Sequence, residues 1–227
     1  SICKLWNLET FLVKALRGEV LVPSSFLNMK RLRRVHINDR VAFSSLNDKS
    51  DCSSLVENME TFSTPALSYG SVTEKMLRRF PSLRKLRCIF VESSDYSKKF
   101  TKFPVLDFLT HLESLKILYH GMVSQPCEFN LPLNLKKLTL SKFRLPWNCI
   151  SEIGRLPNLE VLKLLSKAFE GKVWEMKEGE FLKLKFLKLD TLSIAEWKSS
   201  SDHLPQLQHL ILRNCRQLKE VPSGFGD

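Results

Sequence analysis

A spacing of three residues and then two between apolar side chains recurs along this chain and constrains its fold more than any other feature. In residues 204–222 the pattern is carried by Leu207, Leu210 and Leu212. A helix would bury positions i, i+3, i+4 and i+7, and a strand would bury every second residue, so neither accounts for the whole stretch. The two-residue step places Leu210 and Leu212 on one face of a short strand. The pattern therefore predicts one short strand in each unit.

This unit begins nine times, and successive starts lie 23 to 29 residues apart, a spacing typical of leucine-rich repeats. The nine units are Leu8-Phe11-Val13, Leu32-Val35-Ile37, Met59-Phe62-Thr64, Leu83-Leu86-Cys88, Leu112-Leu115-Ile117, Leu135-Leu138-Leu140, Leu159-Leu162-Leu164, Leu184-Leu187-Leu189 and Leu207-Leu210-Leu212. One unit cannot bury a core alone, whereas stacked units share a continuous one. We therefore predict an α/β leucine-rich-repeat solenoid, a curved horseshoe with a parallel β-sheet on its concave face and loops and short helices on its convex face.

The return path of each coil is less regular than the strand. The two longest spacings contain the polar, serine-rich segments 38–58 and 92–102, which we predict to be loops extruded from the solenoid. Residues 149–159, CISEIGRLPNL, have near-helical apolar spacing and predict a short convex helix that ends near Pro157. The bulky residues predicted to fill the core behind the strands are Phe169, Trp174, Met176 and Phe181.

A single leucine-rich-repeat domain of about nine repeats is expected over residues 1–227. Terminal coils of solenoids normally need polar caps, and neither end of this sequence has one. We therefore expect a fragment of a longer chain. As a separate expectation, this fragment is a monomer. The sequence has no apolar run of membrane-spanning length and no signal-peptide pattern at its start.

The six cysteines form no CxxC pair, which leaves metal and redox motifs without support. Cys88 and Cys215 occupy repeat positions that we expect to be buried as small apolar residues. The sequence also has no NxS or NxT glycosylation site. These features favour a reducing, intracellular setting, and we expect a cytoplasmic protein; a disulfide bond would count against this.

No motif for catalysis is present. The sequence has no GxxxxGK[ST], GxGxxG, HExxH or GxSxG, and its five histidines have no acidic or cysteine partner at a catalytic spacing. We therefore expect no enzyme activity, no cofactor, no metal ion and no small-molecule substrate.

Positive charge is concentrated on one predicted face. With i as the first apolar residue of a unit, positions i+1, i+2, i+4, i+6 and i+7 face outward and hold 14 of the basic residues but only 6 acidic ones. This face therefore carries a net +8 of the chain's +11. We predict that it binds an acidic protein surface, because charge complementarity gives specificity and fast association. The predicted face consists of Arg33, Arg34, His36, Arg84, Lys85, Arg87, Phe90, Lys116, Tyr119, Lys136, Lys137, Lys142, Lys163, Lys185, Phe186, Lys188 and Arg213.

Several motifs resemble one family of repeat proteins. They are LPNLEVLKL, FPSLRKL, FLKLKFLKLDTLSIAEW and LPQLQHLILRNCRQLKEVP, and the likeness is strongest over residues 131–222. They resemble the leucine-rich-repeat region of plant intracellular NLR immune receptors, and most of all the late-blight-resistance-like, coiled-coil receptors of the nightshade family. At i+8, where such repeats often bury Asn or Cys, this sequence has Cys215 but also Val91 and Phe143.

The resemblance implies a role in disease resistance, innate immunity and the hypersensitive response. In that family the repeats help to detect pathogen effectors and hold a nucleotide-binding switch domain inactive. The acidic partner would then be the receptor's own nucleotide-binding domain, an effector or a guarded host protein, and this segment itself would bind no ATP or ADP. Two alternatives remain open at this point: the substrate-receptor repeats of a ubiquitin ligase, and a nucleic-acid-binding protein, suggested by a pI of 9.5 and interleaved aromatic residues.

Overall fold

Each repeat unit of the sequence contributes one strand to a long parallel sheet. A computed structural model describes residues 4–14, 20–23, 29–38, 41–44, 55–68, 71–91, 105–121, 129–200 and 202–222. The strands are β1 (Thr10–Val13), β2 (Val20–Pro23), β3 (Arg34–Ile37), β4 (Val41–Ser44), β5 (Thr61–Ser68), β6 (Lys85–Val91), β7 (Ser114–His120), β8 (Lys137–Ser141), β9 (Leu145–Pro146), β10 (Val161–Leu165), β11 (Phe169–Glu170), β12 (Val173–Glu175), β13 (Phe186–Asp190), β14 (Glu196–Lys198) and β15 (His209–Arg213). The helices are α1 (Ser71–Leu77), α2 (Ile150–Gly154) and a 3₁₀ turn at Trp147–Cys149.

The main sheet runs in the order β1-β3-β5-β6-β7-β8-β10-β13-β15, and every pair along this path is parallel. Its register places the second leucine of each repeat beside that of the next. Leu138, for example, lies between Leu115 and Leu162. Parallel strands joined by a return path of this length are expected for a solenoid. The predicted leucine-rich-repeat solenoid is thus confirmed.

The core lies behind this sheet, because alternate residues of each strand point to opposite faces. In β7, Leu115 and Ile117 are 1% exposed, whereas Lys116 between them faces solvent. The first residue of the unit, Leu112, is fully buried ahead of the strand. Burial of each such side chain contributes about 1.5–3 kcal/mol, so the repeated leucines are the main source of stability.

A tight turn leads into each strand. The backbone N–H of Leu83 donates to the carbonyl of Phe80, and that of Leu207 donates to the carbonyl of Leu204. The residue that opens the turn is itself buried, as Phe80 and Leu204 show, and it adds a fourth core position to the unit. Pro157 follows Leu156 in the equivalent turn, where its fixed φ is compatible with the bend.

Asparagine side chains join neighbouring coils at the residue before the first leucine. Asn58 donates to the carbonyl of Lys30 at 2.8 Å, and Asn158 donates to that of Leu133 at 3.1 Å. These bonds satisfy turn carbonyls that the strands leave without a partner. The i+8 position contributes in one coil, where the Cys215 thiol lies 3.8 Å from the carbonyl of Leu189.

The end of the strand differs between the two halves of the sheet. At i+7, Lys142, Ser166, Thr191 and Asn214 all have positive φ, between 46° and 65°, and the chain turns away from the sheet there. In contrast, β6 and β7 run for seven residues, so their alternation continues through i+7.

Phe90 and Tyr119 occupy i+7 in these two longer strands, and both are only 1% exposed. The prediction that they are aromatic anchors on the binding face is therefore wrong. They point into the core because the strand does not stop before them, and Tyr119 stacks on Phe143 with 5.4 Å between ring centroids.

Tryptophans form a continuous stack on the side opposite the main sheet. Trp174 lies between Trp147 at 4.9 Å and Trp197 at 4.7 Å, with nearly parallel rings. Phe169 extends the stack at 5.1 Å from Trp147. The core positions predicted in this region are confirmed, since Phe169, Trp174, Met176 and Phe181 are all buried. The predicted convex helix is observed as α2.

Other sequence predictions meet mixed outcomes. Most of segments 38–58 and 92–102 lies outside the described residues, but β4 falls within the first and pairs in parallel with β2, so that segment is not wholly a loop. In the third unit a one-residue bulge follows Ser63, which removes Thr64 from the regular pattern.

Cys88 is buried as expected and Cys215 is partly buried. Cys149 is disulfide-bonded, which counts against the expected reducing setting.

Candidate protein-binding face of the sheet

Side chains on the solvent face of the main sheet form rows that cross the strands, because equivalent positions of successive repeats are paired in register. The row at i+1, which we call the ladder row, alternates in charge. It consists of Glu9, Arg33, Glu60, Arg84, Glu113, Lys136, Glu160, Lys185 and Gln208. Four basic and four acidic residues leave the ladder row with no net charge.

Contacts between neighbours confirm that the ladder row neutralises itself. Arg33 donates to Glu60 at 2.5 Å. Glu113 lies 3.6 Å from Arg84 on one side and 3.5 Å from Lys136 on the other. The hydrogen bond from Arg33, followed by the charges of Arg33 and Arg84, lowers the pKa of the Glu60 carboxyl. The same bond raises the pKa of Arg33.

Backbone hydrogen bonds hold the ladder row in place. The carbonyl of Glu113 accepts from the N–H groups of both Lys136 and Lys137, at 2.9 Å each. The carbonyl of Lys136 does the same for the next coil, with Glu160 and Val161 as its donors. These side chains are therefore fixed one strand spacing apart, about 4.8 Å. Opposite charges at that distance support coil stacking.

Four residues predicted for the binding face belong to this row. They are Arg33, Arg84, Lys136 and Lys185. The structure places each beside a glutamate, with Lys185 lying 3.5 Å from Glu160. The excess charge of the face therefore lies in the other rows. In the sequence, the alternation of acidic and basic residues at i+1 is the signal that distinguishes these four residues from the rest.

The remaining cations form what we call the cation strip. Its members are Arg34, Lys85 and Lys137 at i+2, and Arg87, Lys116 and Lys163 at i+4. All six occupy strands of the main sheet, on its solvent face. Among the described residues, none of the six forms an ion pair with a carboxylate.

Like charges stand side by side at the centre of the cation strip. Arg87 and Lys116 are register partners on β6 and β7. Partial burial, reinforced by the charges of Arg87 and Lys163, lowers the pKa of the Lys116 ammonium. Directly opposed like charges destabilise a sheet. The arrangement is consistent with a surface that an anionic partner would complete.

In the row at i+2, residues with hydroxyl groups separate the basic residues. Lys85 and Lys137 lie on either side of Ser114 in the register of β6, β7 and β8. Arg34 donates through Nε to the hydroxyl of Thr10 at 3.2 Å. Cations two strands apart repel each other less than neighbours do, because the repulsion falls with distance and is screened by salt.

Five other predicted residues lie at the margins of this surface. Lys188 forms an ion pair with Asp190 at 3.1 Å, which neutralises its charge. Phe186 is half-buried, with the Lys163 ammonium 5.2 Å from its ring centroid. Lys142 follows the end of β8, and Arg213 ends β15. His36 contacts the hydroxyl of Ser63 through Nδ1 at 3.4 Å.

Within the described parts of the chain, no cluster of three or more histidine, cysteine, aspartate or glutamate residues could hold a metal ion. The helices of the same parts are all too short or too polar to cross a membrane.

Comparison with known proteins relates the whole chain to one group of plant proteins. It is 39% identical over 233 residues to the putative late blight resistance protein homolog R1B-16 of Solanum demissum, covering 100% of this chain and 18% of that protein. It is 39% identical over 236 residues to the late blight resistance protein R1-A of the same plant, with the same coverage. The putative homolog R1B-13 is 38% identical over 233 residues, covering 100% of this chain and 20% of that protein.

The chain matches late blight resistance proteins throughout. The late-blight-resistance-like relationship inferred from the repeat motifs is thereby confirmed over the whole chain. The late-blight-resistance-like chain spans about a fifth of the length of these curated relatives. No protein-family model matches it.

Proposed function

We propose that this chain is the protein-recognition segment of a plant disease-resistance receptor and that its cation strip binds an acidic protein surface. The similarity to late blight resistance proteins supports the receptor assignment. The separation of charge on the sheet supports the binding mode, because the ladder row satisfies itself and the cation strip does not. The register pairing of Arg87 with Lys116, which opposes two like charges on neighbouring strands, is the observation that carries the proposal.

The acidic partner is a protein rather than a nucleic acid. Single-stranded nucleic acids bind through exposed aromatic side chains on which bases stack. Of the interleaved aromatic residues that suggested that alternative, Phe90 and Tyr119 are buried in the core, and Phe186 is half-buried beside Lys163. Apolar side chains instead border the cation strip at i+6, where Ile89, Leu118 and Leu165 are half-buried. Cations beside apolar side chains are complementary to an acidic protein surface with an apolar margin.

In the full receptor the acidic surface belongs to the nucleotide-binding domain, to a pathogen effector or to a guarded host protein. The segment acts without catalysis or cofactor, and the receptor acts in the cytoplasm. In that compartment the Cys149 disulfide would be reduced by the thiol pool.

Charge reversal in the full-length receptor tests the proposal. The triple variant Lys116→Glu, Lys137→Glu, Lys163→Glu reverses three neighbouring members of the cation strip. Autoactivity in leaf tissue without an effector would assign the strip to autoinhibition, and a lost effector response with a quiet resting state would assign it to detection. Either result supports the proposal.

The control triple variant is Lys172→Glu, Lys177→Glu, Lys219→Glu. It changes the net charge equally on exposed residues that lie outside the main sheet. We expect wild-type behaviour from it. If the strip variant also signals like the wild type at equal protein abundance, the cation strip has no role in recognition.

A further inference from the structure

A depression on the solvent face combines cations with a hydroxyl group and an imidazole. It lies where β1, β3, β5 and β6 stand side by side, at one end of the cation strip. Its lining residues are Leu12, Val13, Lys14, His36, Ile37, Asn38, Ser63 and Arg87. None of them carries a carboxylate, so the depression has two cationic side chains and no acidic one.

Three hydrogen-bonding groups of the depression lie along one row, and Lys116 extends this row beyond the depression. The register pairs Leu12 with His36, and Ser63 with Arg87, so the row continues from strand to strand. The hydroxyl of Ser63 lies 3.4 Å from Nδ1 of His36. Lys116 follows Arg87 on the next strand. The strands that carry these imidazole, hydroxyl, guanidinium and ammonium groups are therefore neighbours, about 4.8 Å apart.

The guanidinium of Arg87 is available to a ligand. The described residues include no ion pair of Arg87 with a carboxylate, and its side chain is exposed. A guanidinium presents a planar fork of donors that matches phosphate oxygens in a bidentate manner. The Ser63 hydroxyl adds a donor from β5, and the Lys14 ammonium adds one from the residue that follows β1.

The donor set fits a phosphate monoester better than a carboxylate. A phosphate monoester carries a charge of about −1.5 to −2 at neutral pH and three acceptor oxygens. A carboxylate carries one charge on two oxygens, and it would leave the hydroxyl or one cation without a partner. We propose that the depression formed by Lys14, His36, Ser63 and Arg87 is a binding site for a phosphate monoester. This inference does not depend on the proposed function of the cation strip.

Binding of a phosphoserine peptide to the 227-residue chain tests the inference. Titration calorimetry at constant ionic strength would compare this peptide with the same peptide carrying serine or glutamate instead. We expect the phosphopeptide to bind about tenfold more tightly than the glutamate peptide, because the glutamate carboxylate lacks the third oxygen of the phosphate and loses the charge-assisted hydrogen bonds to it. Equal affinity for the two peptides, or no binding of the phosphopeptide, would overturn the inference.

Matched variants localise the site. Arg87→Ala should lower the affinity for the phosphopeptide by about tenfold or more, and Ser63→Ala should lower it by a smaller factor. Lys14→Ala and Lys163→Ala remove the same charge, but only Lys14 lines the depression. Lys14→Ala should therefore weaken binding several-fold, whereas Lys163→Ala should change it less than about twofold. Equal losses in these two variants would show diffuse charge attraction and refute the site.

Competition distinguishes two sources of the phosphate group. Displacement of the phosphopeptide by millimolar inorganic phosphate would show that the anion alone suffices, as for a free phosphorylated metabolite. Retention of the phosphopeptide under the same conditions would identify a phosphorylated protein as the source. Both results support the site. The variants Lys14→Ala and Ser63→Ala leave all six members of the cation strip in place, so a failure of either proposal can be recognised separately.

Discussion

An exchange of charges within the ladder row tests whether the row acts as a whole or as isolated pairs. In the double variant Arg84→Glu, Glu113→Arg, composition and net charge are unchanged, and the exchanged pair keeps its mutual attraction. The outer neighbours are Glu60 and Lys136, and each would then face a like charge. If each ion pair acts alone, the exchange should leave the free energy of unfolding unchanged. If the ladder row acts as a whole, the exchange should lower it.

The size of the loss follows from the geometry. Contacts of 3.5–3.6 Å between exposed side chains join Glu113 to Arg84 and Lys136. Exposed ion pairs contribute about 0.2–0.5 kcal/mol each, and like-charged pairs cost a similar amount. Two attractions become repulsions in the double variant: that between Glu113 and Lys136, and that between Arg84 and Glu60, whose carboxyl pKa the charge of Arg84 helps to lower. The free energy of unfolding should therefore fall by about 1–2 kcal/mol. For a chain of this size the midpoint of thermal unfolding should fall by about 2–8 °C.

Thermal unfolding followed by circular dichroism at low and high salt measures this effect. At 1 M salt the screening length is about 3 Å, shorter than the contacts, so most of the difference should disappear. The control exchange Lys172→Glu, Glu178→Lys has the same composition on exposed residues outside the ladder row. An unfolding midpoint within about 1 °C of the wild type at low salt, or a shift that persists at high salt, would refute the ladder.

Three further substitutions probe the backbone, the strip and the core. Thr191 is β-branched with a φ of 59°, and the next coil has Asn214 at this position, so Thr191→Asn should stabilise the chain by about 0.5–1 kcal/mol in urea unfolding; destabilisation would contradict a strained backbone. Burial and neighbouring cations lower the pKa of Lys116 in the folded chain. The charged ammonium therefore reduces the free energy of unfolding at a pH below this folded-state pKa, and this reduction disappears as the pH rises through the higher pKa of the unfolded chain. Lys116→Gln should therefore unfold at a higher temperature than the wild type at neutral pH but not at strongly alkaline pH; a constant difference would exclude this cause. Trp174→Ala removes the centre of the tryptophan stack and should cost about 3–5 kcal/mol in urea unfolding, and a loss below about 1 kcal/mol would show that the stack tolerates a gap.

Most of the fold could be predicted from the leucine spacing alone. Alternation within a strand decides which residues face the core, so Leu115 and Ile117 were correctly assigned without coordinates. The asparagine bonds between coils were not predicted, because Asn or Cys was expected at i+8 and not at the residue before the first apolar residue of each unit. The signal was present, since Asn58, Asn134 and Asn158 recur at that position.

The sequence by itself determined the repeat, the parallel register and the excess of positive charge on one face, because each depends on a spacing that the chain carries locally. Only the tertiary structure decided which of those charges are available. Arg84 and Arg87 are three residues apart, yet one lies beside Glu113 of the next coil and the other beside Lys116. It also decided the burial of Tyr119, through the length of β7. Neighbours across a solenoid are separated by a whole repeat in sequence, so their pairing is fixed only when the coils stack.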